Sequence, residues 1–174
     1  MSSIARSLKA VRPAVLSKAL PARTTVWAAS RRTFSTSPIA LEKRYTKDHE
    51  WIDINHQKQT GIVGISEYAA EQLGDVVYVE LPEPNGWVEK GDAIGAVESV
   101  KSASDINSPI RCRITQVNTA LEEKPSIINQ VPEDDSAGGG WLAKVEIDEA
   151  GLKEFETLMD TEAYVAYTKE EEEE

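Results

Sequence analysis

The chain has 174 residues, with 19 Lys and Arg against 30 Asp and Glu, for a formal net charge of -11. That balance argues against nucleic acid and anionic membrane surfaces as partners, because phosphate binding needs clustered Lys and Arg, and favours basic surfaces on other proteins. The single cysteine, Cys112, excludes an intramolecular disulfide and any cysteine-cluster metal site, and no apolar run approaches a membrane span.

The charge is unevenly spread. Residues 1–40 hold Arg6, Lys9, Arg12, Lys18, Arg23, Arg31 and Arg32 and no acid, so everything beyond them is more acidic than the average. Residues 1–34 mix those cations with Ser and with Val11, Val15, Leu16, Leu20 and Trp27, without the continuous apolar stretch of a secretory signal. That composition predicts a mitochondrial transit peptide and a matrix location. Arg32-Thr33-Phe34-Ser35 looks like a processing site, with the mature start near Ser35. The predicted organisation is a transit peptide over 1–34, one domain over 35–168 and an acidic disordered tail over 169–174.

Tyr45 to Ile54 reads as a turn and a strand, with Trp51 a core or rim aromatic. His49 and His56, the only histidines, lack a third ligand and read as surface or locally bonded side chains. Gly61–Ile65 is a short strand. Ser66 is an N-cap for a helix from Glu67, with Tyr68, Ala69 and Leu73 on one face and Gly74 as a left-handed stop. Val76–Leu81 is a strand closed by Pro82 and Pro84, and Asn85-Gly86 marks a turn. Glu89–Asp92 turns into the strand Ala93–Ser99. Ile110, Cys112 and Ile114 alternate with Arg111, Arg113 and Thr115, as in a strand buried on one face. That makes Cys112 a buried hydrophobe instead of a reactive thiol. Asn118 to Lys124 turns as a helix before Pro125, and Asp134–Gly140 is a loop. Trp141, Ala143, Val145 and Ile147 alternate with Leu142, Lys144 and Glu146 in a further strand. Leu152, Phe155, Leu158 and Met159 have helical spacing, and Tyr164, Val165 and Tyr167 continue a second short helix. Short strands punctuated by Gly and Pro predict a mainly β fold, a small sandwich or flattened barrel with a short internal helix and C-terminal helices.

Lys101 stands between the strand residues Gly95–Val100 and the small polar run Ser102-Ala103-Ser104, which places it at a hairpin tip. Its primary amine can be acylated there without unfolding the chain.

Three blocks, in order and at these spacings, carry a resemblance. They are Tyr45-Thr46-Lys47-Asp48-His49-Glu50-Trp51, then Gly61–Ala69 continuing through Gln72–Pro82, then Gly95–Lys101 with Ser108-Pro109. From about Tyr45 to Tyr167 the chain resembles the glycine cleavage H-protein family of lipoyl carriers. Biotin carriers typically flank their lysine with methionines, where this chain has Val100 and Ser102. Lipoyl domains of 2-oxoacid dehydrogenases typically put Asp before the lysine. The chain departs from the H-protein pattern at Arg111-Cys112, where the family usually has a small-residue-Gly pair, and in a longer Asp134–Gly140 loop and the Glu tail.

The resemblance implies a lipoyl/biotinyl-carrier-like barrel-sandwich hybrid, with lipoate joined to Lys101 by an amide. It implies a non-catalytic carrier that takes the methylamine group of glycine from the pyridoxal-phosphate-dependent glycine decarboxylase (P protein) to the aminomethyltransferase (T protein). The dihydrolipoyl dehydrogenase (L protein) then reoxidises the arm, and lipoyl-transfer enzymes install it. Glu50 and Asp105, with Asp48 as a third, are candidate carboxylates for holding the amine of the folded-back arm. A second function is a lipoate relay toward 2-oxoacid dehydrogenase complexes. A third, an enzyme with Lys101 as a Schiff-base nucleophile, needs a desolvated lysine that a polar hairpin tip does not offer.

Overall fold

The structure, a computed structural model, describes residues 41–173; the predicted transit peptide lies outside them. The elements in order are β1 (Glu42–Tyr45), β2 (Glu50–Asn55), β3 (Thr60–Ile65), α1 (Glu67–Leu73), β4 (Val76–Glu80), β5 (Trp87–Val88), β6 (Ala93–Ser99), β7 (Ala103–Asn107) and β8 (Cys112–Val117). There follow α2 (Ala120–Glu123), α3 (Ile127–Gln130), β9 (Ala143–Glu146), α4 (Glu149–Phe155) and α5 (Thr161–Glu173). They form two antiparallel sheets, one ordered β1-β2-β3-β9-β8-β5 and the other β4-β6-β7. Among the described residues the sheets do not close into a barrel, so of the two predicted arrangements the chain adopts the sandwich.

Alternation on the strands explains the layering. On β2, Ile52 and Ile54 point to one side and join Val63, Ile65, Ile114, Val145, Val79, Val97 and Ile106 in a core shared by both sheets. Trp51 points to the other side of the same strand and packs with Tyr45, Trp141 and Tyr164. Its indole nitrogen donates to the Ile65 carbonyl at 2.8 Å and the Pro132 carbonyl at 3.3 Å. Both faces of β2 are therefore covered, and all six of its residues are buried. Asp53, on the Trp51 side, pays the cost of that cover: its Oδ1 is buried without a partner.

Ser66 caps α1 as predicted, its side chain accepting from the Ala69 amide at 3.1 Å. The buried residues of α1 are Ala70 and Leu73, while Tyr68 and Ala69 are half-buried. Gly74 has the predicted positive φ of 73°, but its ψ of -150° lies outside the left-handed helical region. The helix predicted before Pro125 is the single turn α2, and α3 follows it because Pro125 interrupts the helix without preventing a new turn from Ile127. Leu142, which the alternation groups with Lys144 and Glu146, is nonetheless 1 % exposed, because the chain entering β9 is covered on both faces.

The C-terminal region differs from expectation in two respects. Leu158 and Met159 do not extend α4; Met159 bridges Tyr45, each amide donating to the other's carbonyl, at 3.0 and 2.9 Å. The second helix is long: α5 continues through Glu170 to Glu173, where a disordered tail was expected. Glu is a good helix former, and its helical register brings Glu171 to within 3.2 Å of His49. The Arg111-Cys112 pair causes no backbone irregularity, since neither residue has a positive φ and Cys112 opens β8 in register with Val88. Arg111 is instead a tie point: its Nε donates to Asp148 at 2.9 Å, its Nη1 pairs with Glu89, and its guanidinium lies 5.0 Å from the Trp87 ring centre.

Candidate functional site

Strands β6 and β7 pair from Ala93↔Asn107 to Glu98↔Ala103, and Val100 and Lys101 form the turn between them. Ser99 holds that turn. Its backbone amide donates to the Ser102 carbonyl at 2.7 Å, and its hydroxyl accepts from the amides of Lys101 and Ser102 at 3.1 and 3.0 Å. The Val100 amide donates to the Asp75 carbonyl at 3.1 Å, fastening the tip to the loop after α1. The tip itself is open: Val100 is 75 % exposed, and Lys101 is exposed. The lysine chain lies across Gly74, where an added Cβ would sit 2.8 Å from Lys101 Cε and 3.2 Å from Nζ. A backbone without a side chain there leaves a seat for the aminoalkyl chain.

Beside the hairpin is an open cleft of about 670 Å³. The turn between β1 and β2 supplies Lys47, Asp48 and His49, the start of β2 supplies Glu50, α1 supplies Ala69, Gln72 and Leu73, β7 supplies Ser104 to Asn107, and α5 supplies Tyr167 and Glu171. Ile65, Leu73, Val97 and Ile106 make part of the lining apolar. Asp48, Glu50 and Asp105, far apart in sequence, all line this one cleft.

The three carboxylates differ in availability. Glu50 is 2 % exposed, its Oε1 accepts from the Asn107 amide at 2.9 Å, and its Oε2 accepts from the Thr46 hydroxyl. Burial pushes its carboxyl above the ordinary range, against the opposing bonds from Thr46 and Asn107, and the nearby Asp48 charge adds to the rise. Glu50 thus holds the β1–β2 turn to β7 as well as facing the cleft. Asp48 and Asp105 have no bonded side-chain donor among the described residues, which leaves their oxygens open to a cation.

Residue spacing alone gave no sign of His49, Tyr167 and Glu171 as cleft residues. His49 sits at a φ of 69°, which turns its ring across the cleft wall. Its Nδ1 is 2.9 Å from the Tyr164 hydroxyl, which is 2.7 Å from Ser66 Oγ, and its Nε2 is 3.2 Å from Glu171. The sequence predicts a surface or locally bonded histidine; His49 is bonded, but its partners come from the far end of the chain. Only the similarity of block order in the sequence hinted that Tyr45–Trp51 approaches the lysine hairpin; nothing local hinted at α5. His56 pairs with Glu42 at 3.0 Å on the exposed surface, away from the cleft.

The structure thus presents an exposed lysine on a two-residue hairpin beside a partly apolar, acid-rimmed cleft. The chain belongs to the glycine cleavage H-protein family, whose pattern matches residues 43–171. It is 46 % identical over 129 residues to a glycine cleavage system H protein of Thermotoga maritima, covering 74 % of this chain and 98 % of that one. It is 43 % identical to the mitochondrial glycine cleavage system H protein 2 of Arabidopsis thaliana, covering 82 % of this chain and 85 % of the relative. A crystal structure of a glycine cleavage system H protein from Mycobacterium marinum is similar with a TM-score of 0.64 and 36 % identity, covering 74 % of this chain and 97 % of that one.

Proposed function

We propose that this chain is the lipoyl-bearing carrier of a glycine cleavage system, with lipoate in amide linkage to Lys101. The observation that carries the reading is the exposed Lys101 amine, seated over side-chain-free Gly74 and next to a cleft large enough for a folded-back arm. When attached, lipoate supplies a disulfide that takes up the methylamine group of glycine and a dithiol that is afterwards reoxidised.

The chain's own residues do the placing. The Ser99 hydrogen bonds keep the hairpin rigid, so an arm on Lys101 swings from a fixed point. The tether holds its cargo at high effective concentration at each docked enzyme in turn: the decarboxylase, the aminomethyltransferase and the dihydrolipoyl dehydrogenase. Lipoyl-transfer enzymes reach the exposed Lys101 amine without unfolding the hairpin. Between visits the apolar wall of Ile65, Leu73, Val97 and Ile106 receives the arm. Asp105 and Asp48 offer open acceptors to a cationic amine, and Glu50 adds negative potential from a fixed position. In this reading the protein turns over no substrate itself.

The basic segment 1–34 supports a matrix location, as does the mitochondrial designation carried by the Arabidopsis relative. The test is the intact mass and peptide map of the protein purified from its own mitochondria. Loss of the leader and a lipoyl adduct on Lys101 are the expected results. Unmodified Lys101, or a Lys101→Arg chain that still supports glycine breakdown, refutes the reading.

A further inference from the structure

The cleft has one wall that the resemblance did not supply, the last turns of α5. Tyr167 and Glu171 are four residues apart and so share a helix face, which points into the cleft. Glu171 is the hydrogen-bond partner that does most to push the Tyr167 phenol up to about 12, and the Tyr167 hydroxyl also reaches toward the Lys47 carbonyl at 3.5 Å. On its other side Glu171 meets His49 Nε2 at 3.2 Å.

Glu171 and Glu50 are built differently. Glu50 is buried and has both oxygens bonded, one of them to a backbone amide. Glu171 has a side-chain exposure of 33 %, and its anchors are two side chains near the end of a helix. His49 can release it cheaply, because the bond between Nδ1 and the Tyr164 hydroxyl, at 2.9 Å, keeps the ring in place. Four carboxylates and one lysine line the cleft, so a cation entering it is favoured over a neutral group.

We propose that Glu171 is a positioning residue of the cleft: it pairs with His49 while the cleft is empty and turns to the ammonium of the cargo when the loaded arm folds in. An arm without its amine offers no competing cation, so the pair with His49 stays closed. The cleft thereby distinguishes a loaded arm from a discharged one, and the acidic end of α5 is the part that responds. This inference rests on the carrier reading above.

The experiment uses the full chain, lipoylated and loaded with methylamine, as wild type, Glu171→Gln and Glu172→Gln. Glu172 belongs to the same tail but does not line the cleft. Release of the amine from Glu171→Gln is expected to be about 2- to 5-fold faster than from wild type, the scale of one partly exposed ion pair, with Glu172→Gln unchanged. Independently of release, side-chain NMR of unloaded wild type should show the His49 Nε2 resonance where Glu171→Gln does not, and loading wild type should move it toward the variant's position. Equal release from Glu171→Gln and wild type, equal acceleration by both variants, or a His49 resonance indifferent to loading overturns the inference alone. A wild-type chain that never accepts lipoate or methylamine overturns the carrier reading and this inference with it.

Discussion

Gly74 joins the stability of the chain to the seat of its lysine, and Gly74→Ala tests both. With φ at 73° and ψ at -150°, Gly74 occupies a region essentially restricted to glycine, where another residue costs about 1–3 kcal/mol. Alanine also restricts the unfolded chain, which returns about 0.4–1 kcal/mol. The added Cβ would lie 2.8 Å from Lys101 Cε, but that neighbour is the free end of an exposed side chain and can swing aside. The backbone itself cannot relax readily. The Gly74 amide donates to Ala70 and Glu71 carbonyls, and its carbonyl accepts from Asn129 Nδ2 at 2.6 Å. The net expectation is a loss of about 1–2 kcal/mol, the difference of those two effects. Urea unfolding followed by tryptophan fluorescence measures it, since Trp51 and Trp141 are buried. Gly86→Ala is the control: nothing lies within 4 Å of its Cβ position, and it should change stability by less than about 0.5 kcal/mol. Lys101 should remain open to acylation in both variants. Gly74→Ala unfolding at the wild-type midpoint would refute the strain argument, and loss of acylation in a folded Gly74→Ala chain would refute the account of a freely displaced lysine.

Asp53→Asn should stabilise the fold by about 1 kcal/mol at neutral pH, because an unpartnered buried carboxylate is replaced by an amide. Burial raises the Asp53 carboxyl above its ordinary 3.8, partly offset by Lys43. The folded chain therefore binds that proton more tightly than the unfolded chain, and ionisation destabilises it as pH rises through the folded value. The advantage of Asn should accordingly shrink as pH falls through the folded value toward 3.8 and be gone below it; denaturation midpoints that keep a constant gap between neutral pH and that point would contradict it. Arg111→Ala should cost about 1–2 kcal/mol in urea unfolding, through the Glu89 and Asp148 pairs and the Trp87 contact. High salt should narrow the ion-pair part of that difference. Cys112 is fully buried and burial pushes its thiol up, so the native chain should resist alkylation and react stoichiometrically in urea; rapid native labelling would contradict the packing.

Local chemistry made much of this protein legible before folding was considered. Ser66 announced a helix start because a hydroxyl satisfies a free amide. The alternation of Ile110, Cys112 and Ile114 announced a buried strand face, and small polar residues on either side of Lys101 announced its turn. Local chemistry did not reveal the second covered face of β2, since Trp51 is buried by Pro132, Trp141 and Tyr164, which are distant in sequence. The same limit hid the burial of Leu142 and misplaced the tail, where helix continuation through Glu171 brings it to a histidine 122 positions earlier. The candidate acids were found by resemblance, yet only the fold separates Glu50, held by Thr46 and Asn107, from Asp105 with open oxygens. Periodicity, caps and turns act over a few residues and can be read from the chain. Which groups share a cleft, and which of their lone pairs are already bonded, depends on contacts across the sheets, and the tertiary structure alone decides it.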